Sequence, residues 1–174
     1  MKVIDLINGS KSAGFSFEVL PPLKGKGISQ LFKNIDALRE FNPLYINITT
    51  HRSEMVYKNT PDGLYQKVSE RSRPGTVAVA AAIQQKYGIP AVPHLICSGF
   101  SKIETEYALI DLNFLGITNV LVLRGDKAKH DSRFIPNAQH DTKPGIYRCS
   151  ILDIDSKTLR EFQEVKNQRD KRSF

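Results

Sequence analysis

Four stretches of this chain end apolar, branched runs with polar groups that could do chemistry. They are Ser16-Phe17-Glu18-Val19-Leu20-Pro21-Pro22, Asn47-Ile48-Thr49-Thr50-His51, Pro93-His94, and Leu123-Arg124-Gly125-Asp126. Glu18 stands out, because a carboxylate inside an apolar strand is costly to bury unpaired and holds its proton longer than a wet one. A group of that kind can serve as a general acid; the competing reading is a structural Glu bonded to an Arg or to backbone. Arg124 and Asp126 flank a glycine, so backbone at Gly125 can approach a bulky ligand with a cation and an anion on either side. Alone, that tripeptide reads as a solvated turn; its place directly after Asn119-Val120-Leu121-Val122-Leu123 favours a site. His94 is either a satisfied core histidine or a ligand contact. The Thr49 hydroxyl either bonds a ligand or merely favours the strand. No glycine-rich phosphate loop is present, so any dinucleotide must be held in another way.

These groups need a frame that brings them to one rim. Phe15 to Leu20, Tyr45 to Thr49, Ala91 to Ile96 and Asn119 to Leu123 are rich in branched and aromatic residues and read as strands. Between the first two, Ile28, Leu31, Phe32, Ile35 and Leu38 fall at helical spacing, leaving Lys33, Asp36, Arg39 and Glu40 for solvent. Thr76 to Tyr87 is an alanine-rich helix stopped by Gly88. A third helix starts with Ser101 and Glu104 as a capping box, carries Tyr107, Leu109, Ile110, Leu112 and Phe114, and stops at Gly116. Strands alternating with helices call for a parallel α/β sheet, whose ligand site lies at the C-terminal ends of the strands. Lys2 to Asn8 is an amphipathic segment suited to capping the bottom of that sheet. His51 to Pro74 reads as a long polar connection, of the kind that is commonly functional or mobile.

The 174 residues and 40% hydrophobic content allow one modest soluble domain, with no stretch of membrane-spanning or signal-peptide character; a cytoplasmic protein is expected. The two cysteines, Cys97 and Cys149, outline neither a zinc site nor a disulfide framework. The net charge of +7 suits nucleic acid, an acidic surface or a phosphate-bearing ligand, and alone does not choose among them. Much of it lies in residues 156–174, where Lys157, Arg160, Lys166, Arg169, Lys171 and Arg172 outnumber Glu161, Glu164 and Asp170; this reads as a solvated basic helix or tail.

Taken in order, Phe15 to Pro22, Asn47-Ile48-Thr49, Val92-Pro93-His94-Leu95 and Leu123-Arg124-Gly125-Asp126 resemble the methylenetetrahydrofolate reductase family. The likeness covers roughly Met1 to Phe134, including Gly116-Ile117-Thr118-Asn119. It implies an α/β fold, a partial (βα)8 TIM-type barrel of about four parallel strands with crossover helices. It also implies FAD at the strand C-termini, NAD(P)H as the reductant, and 5,10-methylenetetrahydrofolate reduced to 5-methyltetrahydrofolate, a step of one-carbon metabolism that feeds methionine biosynthesis. By the resemblance, Glu18 and Asp126 are catalytic: Glu18 is the general acid that opens the methylene bridge, and Asp126 stabilises the cation that results. Thr49, Thr50, His94, Arg124, Gly125 and Asp126 hold the flavin, and Glu18, Thr49 and Asp126 also touch the folate. No metal is implied. Thr50-His51-Arg52 departs from the aromatic and glycine that often follow the second-strand threonine in the family.

After residue 136 the family pattern and the strand pattern both fade, so residues 1–136 are read as the first half of a flavin-dependent barrel and 137–174 as a divergent basic tail, part helical from about Ser156. Four strands cannot close a barrel, which leaves sheet edges open unless another chain covers them. Weak FAD retention and little activity in isolation are therefore expected. Three readings remain open: a reductase, complemented by a C-terminal half-barrel or a second copy; a non-catalytic half-barrel or assembly subunit; and a basic nucleic-acid binder, the least supported of the three.

Overall fold

Apolar runs of period two, separated by helical repeats, can bury both patterns only by laying helices on a sheet. The computed structural model describes residues 1–51, 53–96, 100, 102–123 and 150–153. In chain order the elements are α1 (Val3–Gly9), β1 (Ser16–Val19), α2 (Ser29–Leu38) with a 3-10 turn at Arg39–Phe41, β2 (Tyr45–Ile48), β3 (Glu54–Asn59) and β4 (Tyr65–Glu70). They continue with α3 (Thr76–Tyr87), β5 (Ala91–Ile96), α4 (Lys102–Phe114), β6 (Asn119–Leu123) and β7 (Ser150–Asp153). β1, β2, β5 and β6 lie side by side and parallel, each joined to the next through a helix, as in part of a (βα) barrel.

Side chains alternate across this sheet. Val19, Ile46, Ile48, Ala91, Leu95 and Val120 turn to the helices, where Leu31 and Ile35 of α2, Val79, Ala80 and Ile83 of α3, and Leu109 and Leu112 of α4 complete the buried core. Gly88 and Gly116 end α3 and α4 in the left-handed region, at φ 66° and 67°, a conformation open to glycine at little cost. No helix among the described residues is long and apolar enough to cross a membrane.

α1 closes the N-terminal end of the inner face, as expected of an amphipathic cap. Val3 is fully buried, and its N–H donates to Asn119 Oδ1 at 2.9 Å. Asn119 Nδ2 in turn donates to the Met1 carbonyl at 2.9 Å, so one buried amide at the foot of β6 satisfies a donor and an acceptor of the N-terminal segment.

Two elements differ from the sequence expectation. The connection from His51 to Pro74 is not an unstructured polar loop but contains the antiparallel hairpin β3–β4, with Val56 opposite Val68 and Tyr57 opposite Lys67. Both faces of this hairpin are largely wet, so no apolar alternation marks it; the Pro61-Asp62-Gly63 turn, with Gly63 at φ 75°, was the available signal. The second difference lies in the segment read as a tail, which supplies β7, antiparallel to β6 with Val120 opposite Leu152. The main sheet thus has five strands in the order β1-β2-β5-β6-β7, of which four are parallel. A four-residue strand after a long polar stretch offers too short a run to read.

Replacing Asn119 with alanine should leave the Val3 N–H and the Met1 carbonyl without their partner, at about 1 to 3 kcal/mol. Urea unfolding reads the loss, and hydrogen exchange at α1 should accelerate; unchanged exchange there would show that α1 is held by other contacts.

Candidate active site at the tops of the parallel strands

The pairing of the strands decides which side chains can meet. Glu18 stands opposite Asn47, and Asn47 opposite Val92; one step further, Ile48 stands opposite Pro93, which brings Thr49 level with His94. Glu18, Thr49 and His94 all carry the parity opposite to the core-facing Val19, Ile48 and Leu95, so they share the inner face near the C-terminal ends of the strands. The Thr49 hydroxyl donates to Glu18 Oε1 at 2.5 Å, while its own N–H continues the ladder to the Val19 carbonyl at 3.0 Å. Three of the expected site residues are therefore brought together.

Glu18 is exposed, which corrects the expectation that it would be buried in its strand. β1 is an edge strand, and the Glu18 carboxylate stands where the inner face of the sheet is open. His94 is the opposite case. Only 4% of it is accessible, and neither Nδ1 nor Nε2 has a hydrogen-bond partner among the described residues. Burial holds its imidazole below the ordinary value of 6.5, while the Glu18 charge on the same face pulls it back upward.

Thr50 serves the site differently from Thr49. Its hydroxyl donates to the His94 carbonyl, and the buried Thr76 hydroxyl, at the first residue of α3, donates to the same oxygen at 3.2 Å. Sequence reasoning missed Thr76, which reads only as the first residue of an alanine-rich helix, with nothing in the spacing to mark it as a clamp on β5. The segment leading to Thr76 is also tied to the loop after β1. Arg73 donates to the Pro21 carbonyl, the Lys24 N–H donates to the Ser72 carbonyl at 2.7 Å, and Glu70 pairs with Lys24 and, at 3.5 Å, with Lys58. The hairpin is thus rooted beside the mouth that holds Glu18 and Thr49. Arg124, Gly125 and Asp126 lie outside the described residues, as do Cys97, Cys149 and the segment expected to be helical from about Ser156. Among the described residues, no group of three or more His, Cys, Asp or Glu is placed to hold a metal ion.

Parallel βα units with an acid, a hydroxyl and a buried imidazole gathered at the strand tops define an α/β protein of the barrel class, with its polar site where that class carries one. Within it the chain belongs to the methylenetetrahydrofolate reductase family, whose profile matches residues 2–144. It is 29% identical to methylenetetrahydrofolate reductase (NADH) 1 of Arabidopsis thaliana over 138 residues, covering 78% of this chain and 21% of the relative. Methylenetetrahydrofolate reductase 2 of Schizosaccharomyces pombe is 31% identical over 129 residues, 72% of this chain and 18% of that one. The 5,10-methylenetetrahydrofolate reductase of Pectobacterium carotovorum is 25% identical over 139 residues, 80% and 38% respectively. The chain thus spans well under half the length of these relatives.

The environment of His94 sets a pH dependence. The unfolded chain takes up this proton near 6.5, and the folded chain only at lower pH, so the stability that rests on the neutral ring is complete above 6.5 and is lost as pH falls through the interval below it. The urea midpoint should drop between pH 7.5 and 5.5, and His94→Leu should flatten that slope. An equal slope in both proteins would mean that other groups carry it.

Proposed function

We propose that this site serves the reduction of 5,10-methylenetetrahydrofolate to 5-methyltetrahydrofolate, with FAD as the bound cofactor and NAD(P)H as the reductant. The observation that carries the reading is the bonded pair of Glu18 and Thr49, set on one face with His94 at the strand tops of a chain of this family. FAD, when bound, supplies the hydride and is refilled by the nicotinamide.

The residues at hand fit such a group. His94 presents two buried ring nitrogens that no group among the described residues satisfies, the condition expected where a polar ligand completes the bonding. The Thr50 hydroxyl already donates its hydrogen bond to the His94 carbonyl, so its contribution to a flavin would be as an acceptor and as the brace of the strand that carries His94. Arg124, Gly125 and Asp126 complete the proposed cofactor set.

Glu18 does the proton chemistry. Its carboxyl hands a proton to the nitrogen that leaves as the methylene bridge opens, which leaves the one-carbon unit as an electrophilic iminium. The Thr49 hydroxyl holds that carboxyl in place across 2.5 Å, and the open inner face lets the folate reach it. Asp126 is assigned the stabilisation of the iminium's positive charge. The protein is placed in the cytoplasm, beside its soluble substrates.

A second reading, a half-barrel that works as an assembly subunit without catalysis of its own, is favoured by β7. It lies antiparallel on the β6 edge, where a continuing parallel barrel would set its next strand.

Flavin binding and the two half-reactions separate these readings. Glu18→Gln should lower folate reduction by about 10² to 10⁴-fold while leaving flavin reduction by NADH or NADPH near its original rate. An equal loss in both half-reactions would remove Glu18 from the acid role. Failure of the natural chain to bind FAD, alone or with a complementing C-terminal half-barrel, would favour the assembly subunit.

A further inference from the structure

The β3–β4 hairpin forms a sheet of its own, and a two-stranded ribbon is marginal in water by itself. Among the described residues the outer edge of β3 is unpaired. The Thr60 N–H donates to the Leu64 carbonyl at 2.8 Å, which sets the phase of the ladder. Glu54, Val56 and Lys58 therefore bond inward to β4, while the backbone N–H and C=O groups of Met55 and Tyr57 point outward. The side chains of Met55 and Tyr57 are 54 and 68% exposed, so apolar surface lies along an open edge of the kind that folds usually blunt.

The order of residues on that edge is self-complementary. About Val56 the strand reads Glu54-Met55-Val56-Tyr57-Lys58, with an acid and a base at equal distances from the centre and an apolar side chain between each of them and the valine. We propose that β3 pairs with β3 of a second copy of this chain, antiparallel about a two-fold axis at Val56, so that the two hairpins join in one four-stranded sheet. In that register Met55 of each chain stands opposite Tyr57 of the other, and each such pair exchanges both of its outward backbone hydrogen bonds. On the other face Glu54 of each chain stands opposite Lys58 of the other, and the two Val56 side chains meet at the axis.

Charge fixes both the edge and the register. Within one chain Glu54 faces Glu70, a like-charge pair, and Glu70 is already engaged by Lys24 and, at 3.5 Å, by Lys58. Lys58 of a second copy gives Glu54 a cation on its free side. Moving the axis to Met55 or to Tyr57 would set Glu54 or Lys58 against valine and lose both ion pairs. The outer edge of β4 offers no such match, because its one base is Lys67 and its one acid, Glu70, is held at the root of the hairpin. A lone lysine on an edge discourages pairing; an acid placed symmetrically across Val56 makes Lys58 half of a match instead. The antiparallel approach also carries the two roots to opposite ends of the joined sheet, which keeps the two domains apart.

Sedimentation equilibrium on the full chain tests the contact. A dimer is expected, and Lys58→Glu or Glu54→Lys alone should raise its dissociation constant by about tenfold or more, since each sets like charges opposite one another twice. The two changes together restore opposite signs, so the double variant should dimerise as tightly as the natural chain. In a background of Cys97→Ser and Cys149→Ser, Val56→Cys should form an interchain disulfide under mild oxidation, because the two positions meet at the axis. Glu54→Cys should not, since its two copies lie four residues out of register, beyond disulfide reach. All these positions lie on the hairpin, and hydrogen exchange at β5 and β6 verifies that the main sheet stays folded. A monomeric natural chain, a dimer indifferent to the single reversals, a double variant that fails to recover, or cross-linking at position 54 as ready as at 56 would each overturn the proposal.

Discussion

The parallel alignment of β1, β2 and β5 is the constraint on which the rest depends. In a sheet whose faces alternate every residue, burying Val19, Ile48 and Leu95 against the helices forces Glu18, Thr49 and His94 to the other side. A slip of one residue between β1 and β2 would put Glu18 among the core side chains and Val19 on the open face. The apolar half of each strand therefore holds the polar half in place, and the core and the site are two readings of one alignment.

Side-chain hydroxyls take over where the backbone ladder ends. Beyond the Ile48–Pro93 pair β2 gives way to a loop while β5 runs on beside β6 alone, and it is there that Thr50 and Thr76 both reach the His94 carbonyl. Pro93, which has no N–H, sits within a central strand and is fully buried, so the neighbouring contacts matter more for holding this stretch. Through Arg73 and Ser72 the same connection also grips the loop that follows Glu18. Loops that differ in sequence position by some fifty residues thus meet as one rim.

Much of this was legible in the residues. Ala91–Ile96, Asn119–Leu123 and Thr76–Tyr87 have the boundaries that their composition indicated, because apolar runs and a terminal Gly88 are strong local signals. The meeting of Glu18, Thr49 and His94 was legible from their common place at strand ends. What escaped notice depended on surroundings rather than on spacing. Glu18 has apolar neighbours along the chain but open space in front of it, and the run of Tyr107, Leu109, Ile110, Leu112 and Phe114 reads as a helix without revealing that only Leu109 and Leu112 among them are buried. The hairpin escaped because its strands mix Lys, Glu and Asn with Tyr and Val, so neither side reads as a core face.

That hairpin has a practical side. Its turn at Pro61-Asp62-Gly63-Leu64 is wholly solvated, while its far end is pinned by Glu70 to Lys24 beside the mouth. A foreign peptide or a fluorophore attachment point spliced between Asp62 and Gly63 would disturb no buried backbone, and the rigid two-stranded stem would relay movement of the rim outward to the label.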